Sequence, residues 1–119
     1  AAAMRRLLAR TTPDALFAGN DTVAFGAMTA LREAGLRIPE DVAVAGFDDI
    51  PLAAHANPPL TSVRLPAVRM GRAAAERLIH HIEGDPPATA PTFLETELVV
   101  RASSVGSATR VTEPPPVRT

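Results

Sequence analysis

Apolar residues along this chain fall into short unbroken runs, separated by longer stretches with helical spacing. The most informative run is Val42-Ala43-Val44-Ala45, which leads into Gly46-Phe47-Asp48-Asp49. Small or β-branched apolar residues, bounded by Pro39-Glu40-Asp41 and Asp48-Asp49, predict a strand buried on both faces. Gly46 is expected to let the backbone leave the sheet. Asp48 and Asp49 would then stand at the strand's carboxyl end, the edge at which open α/β sheets bind ligands. Ala15-Leu16-Phe17-Ala18, between Asp14 and Gly19, is a second run of this kind. Between the two, Ala24, Met28 and Leu31 give residues 22–34 a helical apolar stripe. Asn20 or Asp21 can cap that helix, and Asp21 is the one expected to be purely a cap. Gly35 supplies the positive φ needed after the helix, and Leu36 can pack back. Strand, helix and strand over residues 15–46 make a βαβ unit with a right-handed crossover.

The flanking segments add weaker elements. Residues 1–10 are helix formers with Met4, Leu7 and Leu8 on one face, stopped by Thr11-Thr12-Pro13-Asp14. Residues 50–55 suggest one helical turn, and Leu60-Thr61-Ser62-Val63 a short strand. A long helix runs from Pro66 to Glu83, with Val68, Gly71, Ala75, Leu78 and Ile82 on its apolar face and Gly84 closing it. Phe93–Arg101 alternates as a half-buried or edge strand. Residues 1–104 form the folded unit, and 105–119, rich in Ser, Thr and Pro, read as a disordered tail. The fold class is α/β, built on an open parallel sheet.

Composition narrows the function more than the fold. At 119 residues there is room for one small domain. Twelve basic residues against thirteen acidic ones leave a net charge of −1, without the basic surplus that wrapping nucleic acid needs. Aromatics are 3%, too few for a base-stacking platform. Cysteine is absent, so there is no disulfide or thiolate metal site, which suits the cytoplasm. No apolar run approaches the roughly 18 residues of a membrane span.

Candidate chemistry gathers at one sheet edge. Asn20 and Asp21 follow one strand, Asp48 and Asp49 the other, and parallel neighbouring strands would bring both pairs together. An amide and carboxylates there can take the hydroxyls of a polyol in paired hydrogen bonds. The same residues can equally be caps and turn formers. Asp48 and Asp49 point opposite ways on an extended chain, which disfavours a shared proton or metal ion. His55, His80 and His81 form no ligand set with them. Gly19-Asn20-Asp21-Thr22-Val23 lacks the further glycines of a phosphate loop. Arg69, Arg72 and Arg77, interspersed with Glu76 and Glu83, fit a solvated helix face better than a phosphate site.

Several of these segments, in order and spacing, resemble the lactose-repressor/galactose-repressor family of bacterial transcription regulators. They are Phe17-Ala18-Gly19-Asn20-Asp21, Ala24-Phe25-Gly26-Ala27, the stretch from Gly35 to Val42, Val44-Ala45-Gly46-Phe47-Asp48-Asp49-Ile50 and Pro58-Pro59-Leu60-Thr61-Ser62-Val63. Met70-Gly71 and Glu97–Ser103 extend the likeness, which runs from Ala1 to Ser104. The resemblance implies a three-layer α/β lobe of a periplasmic-binding-protein-like fold, here incomplete. It also implies a small-molecule effector, commonly a carbohydrate, held in a cleft between two lobes. Further implications are operator DNA bound through a helix-turn-helix absent from this chain, a homodimer, a cytoplasmic location, and no enzyme activity, cofactor, metal or membrane. Asn20 and Asp48 match effector-binding positions. Asp48 would accept from ligand hydroxyl or N–H groups, and Asn20 would donate and accept. Leu65 and Ala67 stand where relatives place a polar contact and an aromatic. Phe25 and the loop 53–59, with His55, match segments used in dimers, and Phe25 is equally readable as lobe core. The helix from Pro66 would have lost the sheet it covers in the family, so its apolar face would need another cover, such as a second copy. With half a cleft, the chain alone is expected to bind neither effector nor DNA tightly. The rival readings are a transport-linked sugar-binding protein of the same fold and a small hydrolase using Asp48 or Asp49.

Overall fold

The computed structural model describes residues 1–84, 86 and 90–105. The elements in chain order are α1 (Ala2–Leu8), β1 (Ala15–Phe17), α2 (Asp21–Glu33), β2 (Ala43–Asp48), a 3-10 turn (Pro51–His55), β3 (Thr61–Arg64), α3 (Ala67–Ile82) and β4 (Glu97–Val99). The strands form one open sheet in the order β1-β2-β3-β4. β1 and β3 both run parallel to β2. β4 pairs antiparallel with β3, so the sheet is mixed rather than wholly parallel. Of the segment 105–119 expected as a tail, only Val105 lies among the described residues.

The β1–α2–β2 unit forms as its sequence pattern dictates. α2 ends in paired backbone bonds, Leu36 N–H to Leu31 O at 3.0 Å and Gly35 N–H to Arg32 O at 2.9 Å, with Gly35 at φ 77°. That closure needs a left-handed residue, which glycine provides without a Cβ penalty. Before β2, the Arg37 guanidinium and backbone N–H both donate to Asp41 and hold its carboxyl at a pKa of about 2.

The core lies between α2 and one face of the sheet. Ala24, Ala27, Met28 and Leu31 of α2 meet Val42, Val44 and Leu60, and Met4 of α1 joins at the side. β2 is not buried equally on both faces. Val44 and Gly46, with Val42 just before the strand, are buried, while Ala43, Ala45 and Phe47, which alternate with them, are only half-buried. The run looks uniform because small apolar residues occupy both sets of positions, but α2 covers just one set.

Ser103 fastens the carboxyl-terminal segment to this core. It is fully buried, its carbonyl accepts the Val44 N–H at 2.7 Å, and its hydroxyl donates to Val44 O at 2.6 Å. The same hydroxyl accepts the Thr61 N–H at 2.8 Å, so one side chain closes the gap between β2 and β3.

α3 contributes nothing to the core. None of its residues is buried, and Val68 (86%) and Ile82 (74%) are largely exposed. Its apolar face is therefore open among the described residues. β4 is shorter than the expected strand over 93–101, and Phe93 is exposed.

This division has a measurable consequence. Leu31→Ala should cost about 3 kcal/mol, as expected for a leucine removed from a closed core. Val68→Ala on α3 should change stability by no more than about 0.5 kcal/mol. Urea unfolding followed by circular dichroism distinguishes the two, and a large loss at Val68 would mean that α3 packs.

Candidate functional site at the carboxyl rim of the sheet

Phe17 is the register partner of Ala45, and Ala18 N–H extends the ladder to Ala45 O at 2.8 Å. Asn20 lies three residues beyond Phe17, and Asp48 three residues beyond Ala45. The two thus occupy corresponding places at the same end of adjacent parallel strands. Asn20 is the cap of α2, its Oδ1 accepting the Val23 N–H at 2.8 Å. With that oxygen engaged, its amide –NH2 is the donor left for other partners. Asp48 is exposed, sits at φ 103°, and pairs with Arg64 in the β2–β3 ladder, while its carboxylate makes no hydrogen bond or ion pair to another described residue.

Asp21, expected to be purely a cap, is the most buried carboxylate of the rim. It is fully buried; its Oδ2 accepts the Ile50 N–H at 2.9 Å and its Oδ1 accepts the Ser62 hydroxyl at 2.6 Å. Ser62 Oγ in turn accepts the Asp49 N–H at 3.0 Å. Gly46 is not the point where the chain leaves the sheet, because β2 continues through it to Asp48. It is glycine for space: a Cβ there would collide with Asp21 Oδ1 and come within 3.1 Å of Leu60. The exit occurs at Asp48 and Asp49, both at positive φ, 103° and 52°.

Asp49 turns inward. Its side chain is 4% exposed and lies between two guanidiniums, Arg64 Nε at 2.7 Å from Oδ2 and Arg101 Nη1 at 2.7 Å from Oδ1. Arg101 Nη1 also donates to Leu60 O at 2.7 Å, so its contact with Oδ1 is an ion pair more than an aligned hydrogen bond. Arg64 reaches Glu97 of β4 at 3.1 Å as well. Burial pushes the Asp49 carboxyl upward, and the pull of Arg101 and Arg64 outweighs it, leaving its pKa below the usual carboxylate range. An acid held in this way is a strut, and a carboxylate kept ionised by two guanidiniums is a poor proton acceptor near neutral pH.

The remaining candidates sit apart from this cluster. Phe25 is half-buried and lines a surface depression of about 180 Å³ with Met28, Thr29, Arg32, Leu52, Ala56 and Asn57. His55 is exposed at the end of the 3-10 turn beside it. Phe25 therefore serves the core and a surface at once. Leu65 and Ala67 flank Pro66, where the chain passes from β3 to α3. Sequence reasoning passed over Ser62, Arg64 and Arg101. The signal for Arg64 is its register opposite Asp48, which is readable only once the β2–β3 pairing is known.

Residues 1–104 match the family model of the periplasmic binding protein-like domain. Over 92 residues the chain is 42% identical to the lactose operon repressor of Rhizobium radiobacter, covering 77% of this chain and 80% of that one. It belongs to the lactose-repressor/galactose-repressor family. It is also 48% identical to the HTH-type transcriptional regulator CelR of Thermobifida fusca, over 86% of this chain and 30% of CelR. A solved CelR–cellobiose complex superposes with a TM-score of 0.82 at 47% identity, over 87% of this chain and 32% of that one. The chain spans less than a third of the length of CelR, of the regulators MalR and reg1 of Streptomyces, and of the ribose operon repressor of Escherichia coli. These relatives are transcriptional regulators rather than enzymes. Among the described residues no helix is long and apolar enough to cross a membrane.

The paired acid of this family member predicts a pH signature. A carboxyl whose folded pKa lies below its unfolded value adds stability above about pH 4 and loses it as pH falls through the folded value. The melting-temperature gap between the native chain and Asp49→Asn should therefore be widest near about pH 6 and shrink toward about pH 3. A gap independent of pH would show that the two arginines do not favour the ionised form.

Proposed function

We propose that this chain is the effector-sensing and dimer-forming part of a cytoplasmic, non-enzymatic transcriptional repressor whose effector is a carbohydrate. The observation that carries the reading is Asp48: an exposed carboxylate without a described side-chain partner, held at positive φ, at the same strand end as Asn20. Sparsely populated backbone conformations concentrate at binding sites, where surrounding structure holds them. A carboxylate accepting and an amide donating suit a sugar's hydroxyls, and a CelR relative has been solved with cellobiose. The near-neutral charge leaves operator binding to a helix-turn-helix outside these residues. The effector acts by shifting the balance between two states of unequal DNA affinity. Phe25 and His55 belong to the surface that pairs two copies. A hydrolase that uses Asp49 is disfavoured because that acid is locked by two arginines.

The test uses the complete polypeptide encoded by the gene that contains this sequence. Calorimetric titration with cellobiose and a panel of mono- and disaccharides should find saturable binding. Asp48→Ala and Asn20→Ala should each weaken it roughly tenfold or more, the usual cost of a lost hydrogen bond to a charged or well-placed group. Binding of no sugar, or unchanged affinity in Asp48→Ala, overturns the reading. Sedimentation should show that Phe25→Ala and His55→Asp raise the dimer dissociation constant by roughly tenfold, as for central interface residues. Native-like dimerisation in both would remove them from the interface.

A further inference from the structure

We propose that Asp21 is the positioning residue of this rim: its buried carboxylate sets where Asp48 stands relative to Asn20. The inference rests on reading those two residues as effector contacts, and it goes beyond that reading by naming what holds them in register.

Asp21 follows Asn20 directly, at the first position of α2. Its two oxygens reach the two residues after Asp48 by different routes. Oδ2 takes the Ile50 N–H directly, at 2.9 Å. Oδ1 takes the Ser62 hydroxyl at 2.6 Å, and that hydroxyl takes the Asp49 N–H at 3.0 Å. Both amides beyond Asp48 are thereby tied to the residue beside Asn20. The turn they belong to is under backbone constraint, since Asp48 and Asp49 both lie at positive φ. Aspartate visits positive φ more readily than most residues, yet two in succession are sparsely populated, and the bonds from Asp21 and Ser62 favour them here. The chain around Asp21 is shaped to admit its carboxylate: Gly46 offers bare backbone where any side chain would strike Oδ1.

The chemistry requires an acid here. A carboxylate offers only acceptors, and the site presents two donors, one N–H and one O–H. Asparagine would still accept at one oxygen. Its –NH2 would face the Ser62 oxygen, leaving the hydroxyl proton without its acceptor. Alanine removes both ties. The expected order of function is therefore Asp21, then Asp21→Asn, then Asp21→Ala. A cap or a merely stabilising group predicts no such order in ligand affinity once each protein is folded.

The experiment compares Asp21→Asn, Asp21→Ala and Ser62→Ala, at a temperature where circular dichroism shows each to be folded. In the first arm the complete polypeptide is titrated with cellobiose and the sugar panel. Affinity should fall roughly tenfold or more in Asp21→Ala and by less in Asp21→Asn, as bonds to a charged group are lost in whole or in part. In the second arm, amide hydrogen exchange of this chain is followed by NMR. Exchange at Asp49 and Ile50 should accelerate in Asp21→Ala, while Leu31 and Val44 stay protected. Folded Asp21→Ala with native exchange at Asp49 and Ile50, or with native sugar affinity, overturns the proposal. If the unaltered polypeptide binds no sugar, the effector reading fails, and the exchange arm still decides whether Asp21 holds the turn. If Asp21→Ala does not fold, Ser62→Ala, which cuts only the Oδ1 route, carries both readouts: native exchange at Asp49 in it overturns the proposal.

Discussion

A carboxylate taken wholly out of water imposes conditions on everything around it. Burying such a group is costly unless its oxygens are hydrogen-bonded. At Asp21 the partners come from the turn after β2 and from β3, and the space comes from the missing side chain at Gly46. Helix α2, strand β2 and strand β3 therefore have one mutual arrangement in which the acid is satisfied. The hydrophobic contacts of Met28, Leu31, Val42 and Val44 drive the packing, but they are non-directional and would tolerate small slides. The buried acid does not.

A second polar joint lies on the other side of the same turn. Asp49 draws together Arg64 of β3 and Arg101 beyond β4, and Ser103 closes the seam between β2 and β3 from below. The two joints leave Asp48 between them as the rim acid without a described side-chain partner. One acid is buried, the next exposed, the next buried in turn. That alternation gives the Asp48 carboxylate a fixed seat while leaving its own oxygens open to solvent. A group fixed in this way has little ordering left to lose when it meets a partner.

The local part of this organisation was legible in the sequence. Unbroken apolar runs marked β1 and β2, an apolar stripe marked α2, and Gly35 marked its end, because each depends on residues within a turn or two of one another. The family was legible too, from ordered segments between Phe17 and Val63. What the pattern misjudged were roles that depend on distant partners. Asp21 looked like a cap, because aspartate beside a helix start usually is one, and Asn20 took that place instead. Gly46 looked like a point of exit, whereas its smallness answers to an atom of Asp21. Val42–Ala45 looked buried on both faces, because alanine and valine do not reveal which face a helix will cover.

The sequence by itself determined the elements, their order, and the arrival of an amide and acids at a common strand end, since hydrophobic periodicity and turn chemistry act over short distances along the chain. Only the tertiary structure decided which acid is a strut and which is free. Ser62 lies 41 residues from Asp21, and Arg101 reaches Asp49 from beyond β4. Charges and donors so far apart meet only after the sheet has paired, and no local spacing encodes which of them will.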